Sequence, residues 1–293
     1  MKKVKVGIIG TGNIVTDILV KIMRSDYLEC GIFAGRNPDS EGIRFAEKLG
    51  VKTSFGSIQA IEENPESCDI VFDATSAETH RYHAPILKKL NKFVIDMTPA
   101  HIGPFCIPVL NLDKCLENET NVNLITCGGQ ATVPIAEAIT RVHPETSYIE
   151  VVATIASKSA GIGTRNNIDE FTQTTKDAIL EFSHVPEAKA IIILNPAEPP
   201  VKMRNTIYAL IDNPDIDRLN NEISKVVGKI CKYVPGYKII VGPILENGRV
   251  TTTIEVTGQG DYLPSYAGNL DIITCAGVEI AEKYAMKHME RGL

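Results

Sequence analysis

One cysteine stands where the sequence could make a thiol reactive. Cys127 follows the apolar run at residues 122–126 and precedes Gly128, Gly129 and a segment with helical periodicity. A helix beginning there would set its positive dipole end and free backbone N–H groups beside the sulfur, and both favour a thiolate. The same N–H groups could stabilise an oxyanion formed by attack on a carbonyl, and the glycines would leave room for a substrate. We therefore predict that Cys127 is a nucleophile. The alternative, a small buried residue in a turn, is assigned to the other six cysteines.

A glycine turn near the start could hold a phosphate group. Gly10 and Gly12 follow the β-branched run at residues 4–9, and apolar residues recur at helical spacing from Ile14 onward. This arrangement lets the backbone approach a pyrophosphate that the helix N-terminus stabilises. Because Val15 occupies the third glycine position of the pattern, an ordinary tight turn is the alternative. The place of the turn at the first strand-to-helix junction favours a dinucleotide site.

The type of dinucleotide depends on the residues after the second predicted strand, residues 28–34. An NAD-binding site usually offers an acid there for the ribose hydroxyls. Here Arg36 and Asn37 follow the strand, and an arginine could equally favour a 2′-phosphate. Asp39 is the nearest acid, but it lies in a segment typical of a turn. The sequence leaves both NAD and NADP open.

A loop in the second half combines glycines, hydroxyl groups and an arginine. It covers residues 159–167, SAGIGTRNN, and precedes a helix predicted from residue 168 with Asn166 or Asn167 as its cap. An anion-binding loop and an exposed connecting loop are both compatible with this composition.

The histidines give no convincing site. His80 and His83 lie three residues apart on a predicted helix, and a solvated helix face explains them better than a metal site. His143 is a candidate base in name only. We predict no metal site.

Strands and helices alternate through the first half. Strands are predicted at residues 4–9, 28–34 and 69–74, and further apolar runs occur in KFVIDMTP and NVNLIT. This alternation predicts a parallel, doubly wound sheet, in which ligands lie outside the carboxyl ends of the strands. Residues expected at such ends, and so in one crevice, are Gly10, Gly35, Thr75, Thr98 and Cys127.

The pattern changes beyond about residue 146. Strand-like runs outnumber the helices predicted near residues 168–182 and 215–227, which indicates a mostly antiparallel sheet covered on one face. The terminal helix, from about Leu270, should pack back on the first domain. We therefore predict an α/β fold of two domains. Residues 1–126 with 265–293 would bind a dinucleotide, and residues 127–264 would form a catalytic and dimerisation α+β domain.

Length and composition restrict the class of protein. The 293 residues suffice for two domains, and shares of 44% hydrophobic and 23% charged residues are typical of soluble globular proteins. A net charge of −6 without a basic stripe argues against nucleic-acid binding. Seven cysteines without a C-x-x-C pair favour a reducing compartment. We see no signal peptide and no apolar run of about 18 residues, so we expect a cytoplasmic protein without membrane contact.

Six segments together resemble one known family. They are GTGNI, FDATSA, NLITCGGQAT, SKSAGIGTRNNIDEFT, AIIILNPAEPP and SYAGNLDIIT. In this order, over essentially the whole chain, they are similar to the NAD-dependent, CoA-acylating acetaldehyde dehydrogenases of aromatic meta-cleavage pathways. Glyceraldehyde-phosphate and aspartate-semialdehyde dehydrogenases share that architecture. The resemblance therefore implies a Rossmann-like first domain and a glyceraldehyde-phosphate dehydrogenase-like fold.

The resemblance also implies a reaction, partners and site residues. Acetaldehyde, or another short aldehyde, would be oxidised to acetyl-CoA with reduction of NAD, through a thiohemiacetal and a thioester on Cys127 that coenzyme A attacks. A homodimer would join a larger complex with 4-hydroxy-2-oxovalerate aldolase. The cofactor-binding residues carried over by position are Thr11, Gly12, Asn13, Ile14, Ser159, Ala160, Gly161, Ile162, Gly163, Thr164, Arg165, Asn166, Asn167 and Asn269.

Four positions depart from the family pattern. Asn205, in MRNT, replaces a carboxylate that would assist proton transfer or positioning, and an amide cannot take a proton. Arg36 and Asn37 replace Ile-Asp, and Val15 replaces glycine. The competing hypotheses are a phosphorylating semialdehyde or acyl-phosphate reductase and a non-catalytic aldolase-binding subunit. A cysteine hydrolase is disfavoured by the nucleotide turn.

Overall fold

The chain divides into two compact units. The computed structural model describes residues 3–161, 164–165 and 168–290, with only the backbone of Glu290. The first unit comprises Met1–Leu124 with Thr274–Leu293, and the second comprises Ile125–Ile273.

The first unit is built on a sheet of seven strands that are parallel throughout. In sheet order β3-β2-β1-β4-β5-β7-β6, a switch point separates β1 from β4, because the chain builds outward on either side of that gap. The strands are β1 Val4–Ile9, β2 Leu28–Ala34, β3 Thr53–Ser54, β4 Ile70–Asp73, β5 Phe93–Asp96, β6 Phe105–Cys106 and β7 Asn121–Leu124.

Helices connect these strands. They are α1 Asn13–Arg24, α2 Glu41–Lys48, α3 Gln59–Glu62, α4 Ala77–Lys89 and α5 Pro108–Asn118. Every residue of β4 and β5 is buried, which explains their continuous apolar sequences. The parallel, doubly wound sheet predicted from the sequence is confirmed, and β2 has the predicted limits. The two-residue strands β3 and β6 are too short to give a recognisable pattern.

The second unit holds a five-stranded sheet in the order β11-β12-β10-β8-β9. Only the β8–β9 pair is parallel, so the predicted mostly antiparallel sheet is confirmed. The strands are β8 Tyr148–Ala156, β9 Glu187–Asn195, β10 Met203–Leu210, β11 Tyr237–Glu246 and β12 Arg249–Val256. The helices are α6 Cys127–Val142, α7 Ile168–Ser183 and α8 Ile216–Ile230, and a last helix, α9, covers Gly268–Glu290.

Helix α9 starts in the second unit and completes the first. From Thr274 onward it packs on the first unit, as expected from the sequence. Thr274 donates a hydrogen bond of 2.7 Å to the buried carboxylate of Asp17, and the Tyr284 ring stacks on Phe93 with 4.3 Å between centroids. Among the described helices, none is both long enough and apolar enough to cross a membrane.

Candidate active site

Cys127 is the first residue of α6, as the sequence predicts. Strand β7 ends at Leu124, earlier than expected, and Thr126 caps the helix by accepting a hydrogen bond of 2.9 Å from the Gly129 N–H. The hydroxyl of Thr175 on α7 lies 2.6 Å from that of Thr126 and donates to the Phe171 carbonyl. The start of α6 is therefore held by a chain of hydroxyl groups.

The thiol of Cys127 is not a thiolate in this environment. The residue is partly exposed, but its sulfur is surrounded by protein, and this burial raises its pKa to about 12. The backbone N–H groups of Gly128 and Cys127 bond the sulfur and lower the pKa, yet they do not outweigh burial. The N–H groups at the helix end thus favour the thiolate, as predicted, but desolvation exceeds their effect and the net shift of the pKa is upward. The N–H groups are nevertheless directed at the sulfur.

The two glycines after the cysteine serve packing rather than access. A Cβ on Gly129 would lie 2.6 Å from Ile125 Cδ1, and one on Gly128 would lie 3.0 Å from the Phe171 ring. Their missing side chains let the first turn of α6 sit against its own unit. The expectation that both leave room for a substrate is corrected: neighbouring side chains fill that space.

Asn205 on β10 carries a buried amide without a partner. The residue has no exposed surface, and among the described residues neither its Oδ1 nor its Nδ2 is hydrogen-bonded. Asn205 pairs across the strands with Ala153, whose Cβ would be 3.4 Å from a Cβ on Gly128. The unpaired amide therefore lies one strand away from the residue that packs on the turn of Cys127. An orphaned buried amide is costly, which indicates a group kept for a ligand.

Two of the predicted cofactor segments of the second unit meet. Asn269 is buried, and its Nδ2 donates a hydrogen bond of 3.2 Å to the Ser159 carbonyl, while its Oδ1 has no partner among the residues that the structure describes. Arg165 is occupied by its own loop, since its guanidinium donates to the carbonyls of Ala160 and Ser157 at 3.1 and 2.5 Å. Gly161 is exposed and Thr164 partly so. Ile162, Gly163, Asn166 and Asn167 lie outside the described residues.

The glycine turn of the first unit is fixed by close backbone packing. Gly10 has a φ of +130°, and a Cβ there would lie 3.0 Å from the Ala74 carbonyl beyond β4. A Cβ on Gly35 would lie 2.2 Å from Thr11 Cγ2, and one on Gly42 would lie 2.4 Å from the Thr11 carbonyl oxygen. Both glycines therefore make space for Thr11. The turn is thus held at the switch point of the sheet.

The same turn has the properties of a pyrophosphate site. No side chain caps α1, and a Cβ on Gly12 would meet no atom within 4 Å. Thr11, Gly12, Asn13 and Ile14 are all at least partly exposed, whereas Val15 is buried in the core. Free N–H groups at an open helix N-terminus fit the negative charge of a dinucleotide.

A row of polar side chains follows the neighbouring strand ends. Asp73, Asp96 and Asn123 are register partners at the ends of β4, β5 and β7, and all three are buried. The Asn123 amide donates to Asp96 and to the Thr98 carbonyl, both at 2.9 Å. Sequence reasoning missed these residues. The signal that could have found them is the repeated ending of an apolar strand in aspartate, VFD and VID.

The two histidines of α4 belong to this row. His80 and His83 are buried, and the Nδ1 of each lies 2.8 Å from Asp73 Oδ2. The Nε2 of His80 lies 3.0 Å from the Asn121 amide and 3.5 Å from Asp96. The predicted solvated helix face is therefore wrong: these rings turn toward the sheet, where a carboxylate holds them.

The ionisable groups of this cluster shift one another's pKa values. Burial opposes ionisation of Asp73, but hydrogen bonds from His80 and His83 hold its pKa well below its usual range. Burial also opposes the charged form of His80, yet its hydrogen bond with Asp73 and the charge of Asp96 raise its pKa. Burial raises the pKa of Asp96. In the described part of the chain, no group of three or more histidine, cysteine or acidic residues is arranged to hold a metal ion.

His143 has a structural role. Its Nδ1 lies 2.7 Å from Glu145, and its Nε2 accepts a hydrogen bond of 3.0 Å from the Asp215 N–H, just before α8. It thus ties the end of α6 to the start of α8.

Comparisons with known proteins agree with this arrangement. A family model described as prokaryotic acetaldehyde dehydrogenase, dimerisation, matches residues 127–264, and one described as semialdehyde dehydrogenase, NAD binding domain, matches residues 5–117. The first unit is thus a nicotinamide-dinucleotide-binding domain with a Rossmann-like sheet.

Two solved structures share the fold. An aspartate semialdehyde dehydrogenase from Vibrio cholerae aligns with a TM-score of 0.63 at 13% identity, and one from Candida albicans with a TM-score of 0.66 at 11% identity. Each alignment covers 98% of this chain and 99% of the other. The predicted fold, a Rossmann-like parallel sheet followed by a second α+β domain, is confirmed.

Curated relatives are much closer in sequence. The acetaldehyde dehydrogenase of Pectobacterium atrosepticum is 53% identical over 96% of this chain and 95% of its own length. That of Geobacillus stearothermophilus is 53% identical over 98% of both chains. Such identity over nearly the full length places the chain in the acetaldehyde dehydrogenase family, whose members are oxidoreductases that act on aldehydes.

Proposed function

We propose that the chain catalyses the CoA-acylating oxidation of acetaldehyde, or of another short aldehyde, to the acyl-CoA. The observation that carries this proposal is the sulfur of Cys127, which receives backbone N–H groups at the first turn of α6. Membership of the family gives the substrate class. Residues 1–126 with 265–293 would bind the dinucleotide, and residues 127–264 would carry the nucleophile and the dimer contact.

The chemistry follows from this position. The Cys127 thiol gives its proton to water, and the sulfur adds to the aldehyde carbon, so that the carbonyl oxygen becomes an oxyanion. Backbone N–H groups at the start of α6 are suited to hold that negative charge. A nicotinamide held at the glycine turn would supply the hydride acceptor, and loss of that hydride from the adduct would leave a thioester on Cys127. The thiol of coenzyme A then displaces the cysteine and releases the acyl-CoA.

Asn205 fits a positioning role in this reaction. An amide cannot act as a general base at neutral pH, but it offers a donor and an acceptor. Because both atoms are buried without partners, a carbonyl or thioester oxygen bound nearby would relieve the cost of burying them. We infer that Asn205 orients the acyl group.

The cofactor segments complete the proposal. Thr11 to Ile14 would hold the pyrophosphate of NAD or NADP, and Ser159 and Asn269 are further proposed cofactor-binding residues. Coenzyme A enters as co-substrate. The remaining members of the predicted segment, residues 160–167, belong to the same proposal.

A homodimer is the proposed assembly. The face of the second sheet opposite α6 carries the exposed apolar side chains of Ile193, Leu210, Val241 and Ile244 beside threonines such as Thr253. An exposed apolar face of this kind is typical of an interface. On the resemblance alone, we add a 4-hydroxy-2-oxovalerate aldolase as the partner that supplies the aldehyde; co-purification with that enzyme tests it.

The decisive experiment compares acceptors and cysteine variants. Reduced nicotinamide is followed by absorbance with acetaldehyde and NAD or NADP, with either coenzyme A or inorganic phosphate as acceptor. We expect a CoA-dependent signal that Cys127→Ala abolishes and that Cys231→Ala leaves intact. The latter is a matched control, since Cys231 is also partly exposed and lies in the same unit. Mass spectrometry after incubation with acetyl-CoA should find an acetyl group on Cys127.

Two results would contradict the proposal. A signal that requires phosphate instead of coenzyme A would identify a phosphorylating reductase. Folded protein without any signal, and with Cys127→Ala unchanged in aldolase binding, would identify a non-catalytic subunit.

A further inference from the structure

The end of β2 is the place where a doubly wound nucleotide-binding sheet contacts the adenosine ribose. In doubly wound nucleotide-binding sheets, the adenosine ribose lies at the end of the second strand, beside the glycine turn that holds the pyrophosphate. Strand β2 ends at Ala34, and the Gly35 N–H donates to Ser54 while its carbonyl accepts from the Ser57 N–H. Arg36 is therefore the first residue beyond the sheet.

The backbone of Arg36 also lies next to the glycine turn. The absence of a Cβ on Gly35 lets the Thr11 side chain approach, since a Cβ would lie 2.2 Å from Thr11 Cγ2. A nucleotide seated on that turn would bring its ribose to the backbone next to Arg36.

The Arg36 guanidinium is available to a ligand. The residue is exposed, and no hydrogen bond or ion pair joins it to another residue in the described part of the chain. Guanidinium presents five N–H donors in a planar fork that matches a phosphate group. Its charge is thus neither neutralised nor committed within the protein.

The acids of this region lie on the far side of a turn. Asn37 Oδ1 accepts a hydrogen bond of 3.0 Å from the Asp39 N–H, which reverses the chain, and Ser40 then caps α2. Asp39 and Glu41 are therefore separated from β2 by that turn, and residues 35–38, which directly follow β2, include no acid for two ribose hydroxyls. A ribose with free hydroxyls would find no acid here, whereas a 2′-phosphate would find a cation.

We propose that Arg36 selects NADP by binding its 2′-phosphate, so that the enzyme prefers NADP to NAD. The inference rests on the proposed nucleotide site at the glycine turn, but not on the proposed aldehyde chemistry.

Binding to the full-length protein tests this inference without catalysis. Isothermal titration calorimetry with NADP⁺, NAD⁺ and 2′,5′-ADP should show that NADP⁺ binds at least about tenfold more tightly than NAD⁺, and that 2′,5′-ADP binds and competes with NADP⁺. Arg36→Gln should weaken NADP⁺ and 2′,5′-ADP by about 10- to 100-fold and leave NAD⁺ within about twofold. Lys48→Gln is the matched control, because it removes one exposed positive charge from the other end of α2; it should change neither affinity.

Three results would overturn the inference, and a fourth would separate it from the proposed aldehyde chemistry. Tighter binding of NAD⁺ than of NADP⁺ by the wild type would overturn the inference. So would an equal loss for both nucleotides in Arg36→Gln, or an equal effect of Lys48→Gln. Arg36-dependent NADP⁺ binding without acyl-CoA formation would instead uphold the inference and refute the proposed aldehyde chemistry.

Discussion

The sulfur of Cys127 is held by a helix N-terminus and yet keeps its proton. Because burial raises its pKa to about 12, only roughly one thiol in ten thousand is ionised at pH 8. We predict that alkylation of Cys127 by iodoacetamide in the folded protein becomes steadily faster from pH 7 to pH 10 without levelling off. Peptide mass spectrometry measures the rate. In urea the alkylation rate of the same thiol should level off above its ordinary pKa of about 8.5. A rate that reaches a plateau near neutral pH in the folded protein would contradict the prediction.

The unpaired amide of Asn205 lowers the stability of the fold but serves the proposed active site. Replacing its amide by an apolar side chain of similar size removes two buried polar atoms without partners. We predict that Asn205→Leu raises the free energy of unfolding by about 1 kcal/mol and lowers kcat/KM at least about tenfold. Urea denaturation and steady-state kinetics measure the two effects. Thr252→Val is the control, since the buried Thr252 hydroxyl also lacks a partner in the described structure: it should stabilise the fold and spare the activity.

At the scale of single residues, the sequence predicts position better than environment. The start of α6 at Cys127 follows from local signals: an apolar run, a threonine cap and helical spacing. The protonation of the thiol does not, because it depends on what surrounds the sulfur. The roles of Gly128 and Gly129 were missed for the same reason, as Phe171 comes from a different helix.

Helix α2 holds the glycine turn from one side. A Cβ on Gly42 would lie 2.4 Å from the Thr11 carbonyl oxygen, which is backbone and cannot rotate away. We predict that Gly42→Ala weakens dinucleotide binding at least about tenfold and lowers the free energy of unfolding by about 1–3 kcal/mol. Calorimetry and thermal unfolding provide the measurements. The helical Gly228 has open space around it, so Gly228→Ala should stabilise α8 by up to about 1 kcal/mol; similar losses in both variants would refute the argument.

The polar row beyond β4, β5 and β7 makes stability depend on pH. The pKa of Asp73 is lowered, so its contribution is complete above the unfolded value of about 3.9 and is lost as the pH falls. The pKa of His80 is raised, so its contribution is complete below the unfolded value of about 6.5 and is lost as the pH rises through the folded pKa. Asp73 and His80 should therefore together stabilise the fold most between about pH 4 and pH 6.5.

The Asp73→Asn variant tests this cluster. Removing one partner of a buried charged pair should cost about 3 kcal/mol at pH 6. The difference from wild type should be smaller at pH 9 than at pH 6, because a rise in pH favours loss of the His80 proton. Urea denaturation at both pH values measures it, and Asp113→Asn, which alters an exposed ion pair with Lys287, should cost little at either. A cost that does not depend on pH would refute the role of the histidine charge.

Elements are predicted where their pattern is local and missed where it is not. The buried strands and the order of alternation follow from apolar runs bounded by turns. The inward face of α4 does not, because its sequence carries polar histidines, whose burial is made tolerable by partners elsewhere in the chain such as Asp73 and Asn121. Two-residue strands such as β3 and β6 have no sequence pattern long enough to detect.

The exposed face of the second sheet is the main prediction for the whole molecule. Ile244 projects from that face, and a charge there should cost a single chain little. We predict that the wild type sediments with twice the mass of one chain and that Ile244→Lys shifts it to single chains. Leu49→Lys is the control, because Leu49 is a similarly exposed apolar residue at the end of α2 in the other unit. A wild type that sediments as single chains would refute the proposed interface.

Helix α9 has a consequence for the order of folding. The first unit takes Thr274, Gly277 and Tyr284 into its core, next to Asp17, Phe72 and Phe93 respectively. A ribosome makes these residues only after it has made the entire second unit. The first unit must therefore wait, incomplete, while the second emerges and folds. A nascent chain of this protein should expose apolar side chains of its nucleotide-binding sheet for most of its synthesis. We expect chaperones to bind it most strongly during that interval.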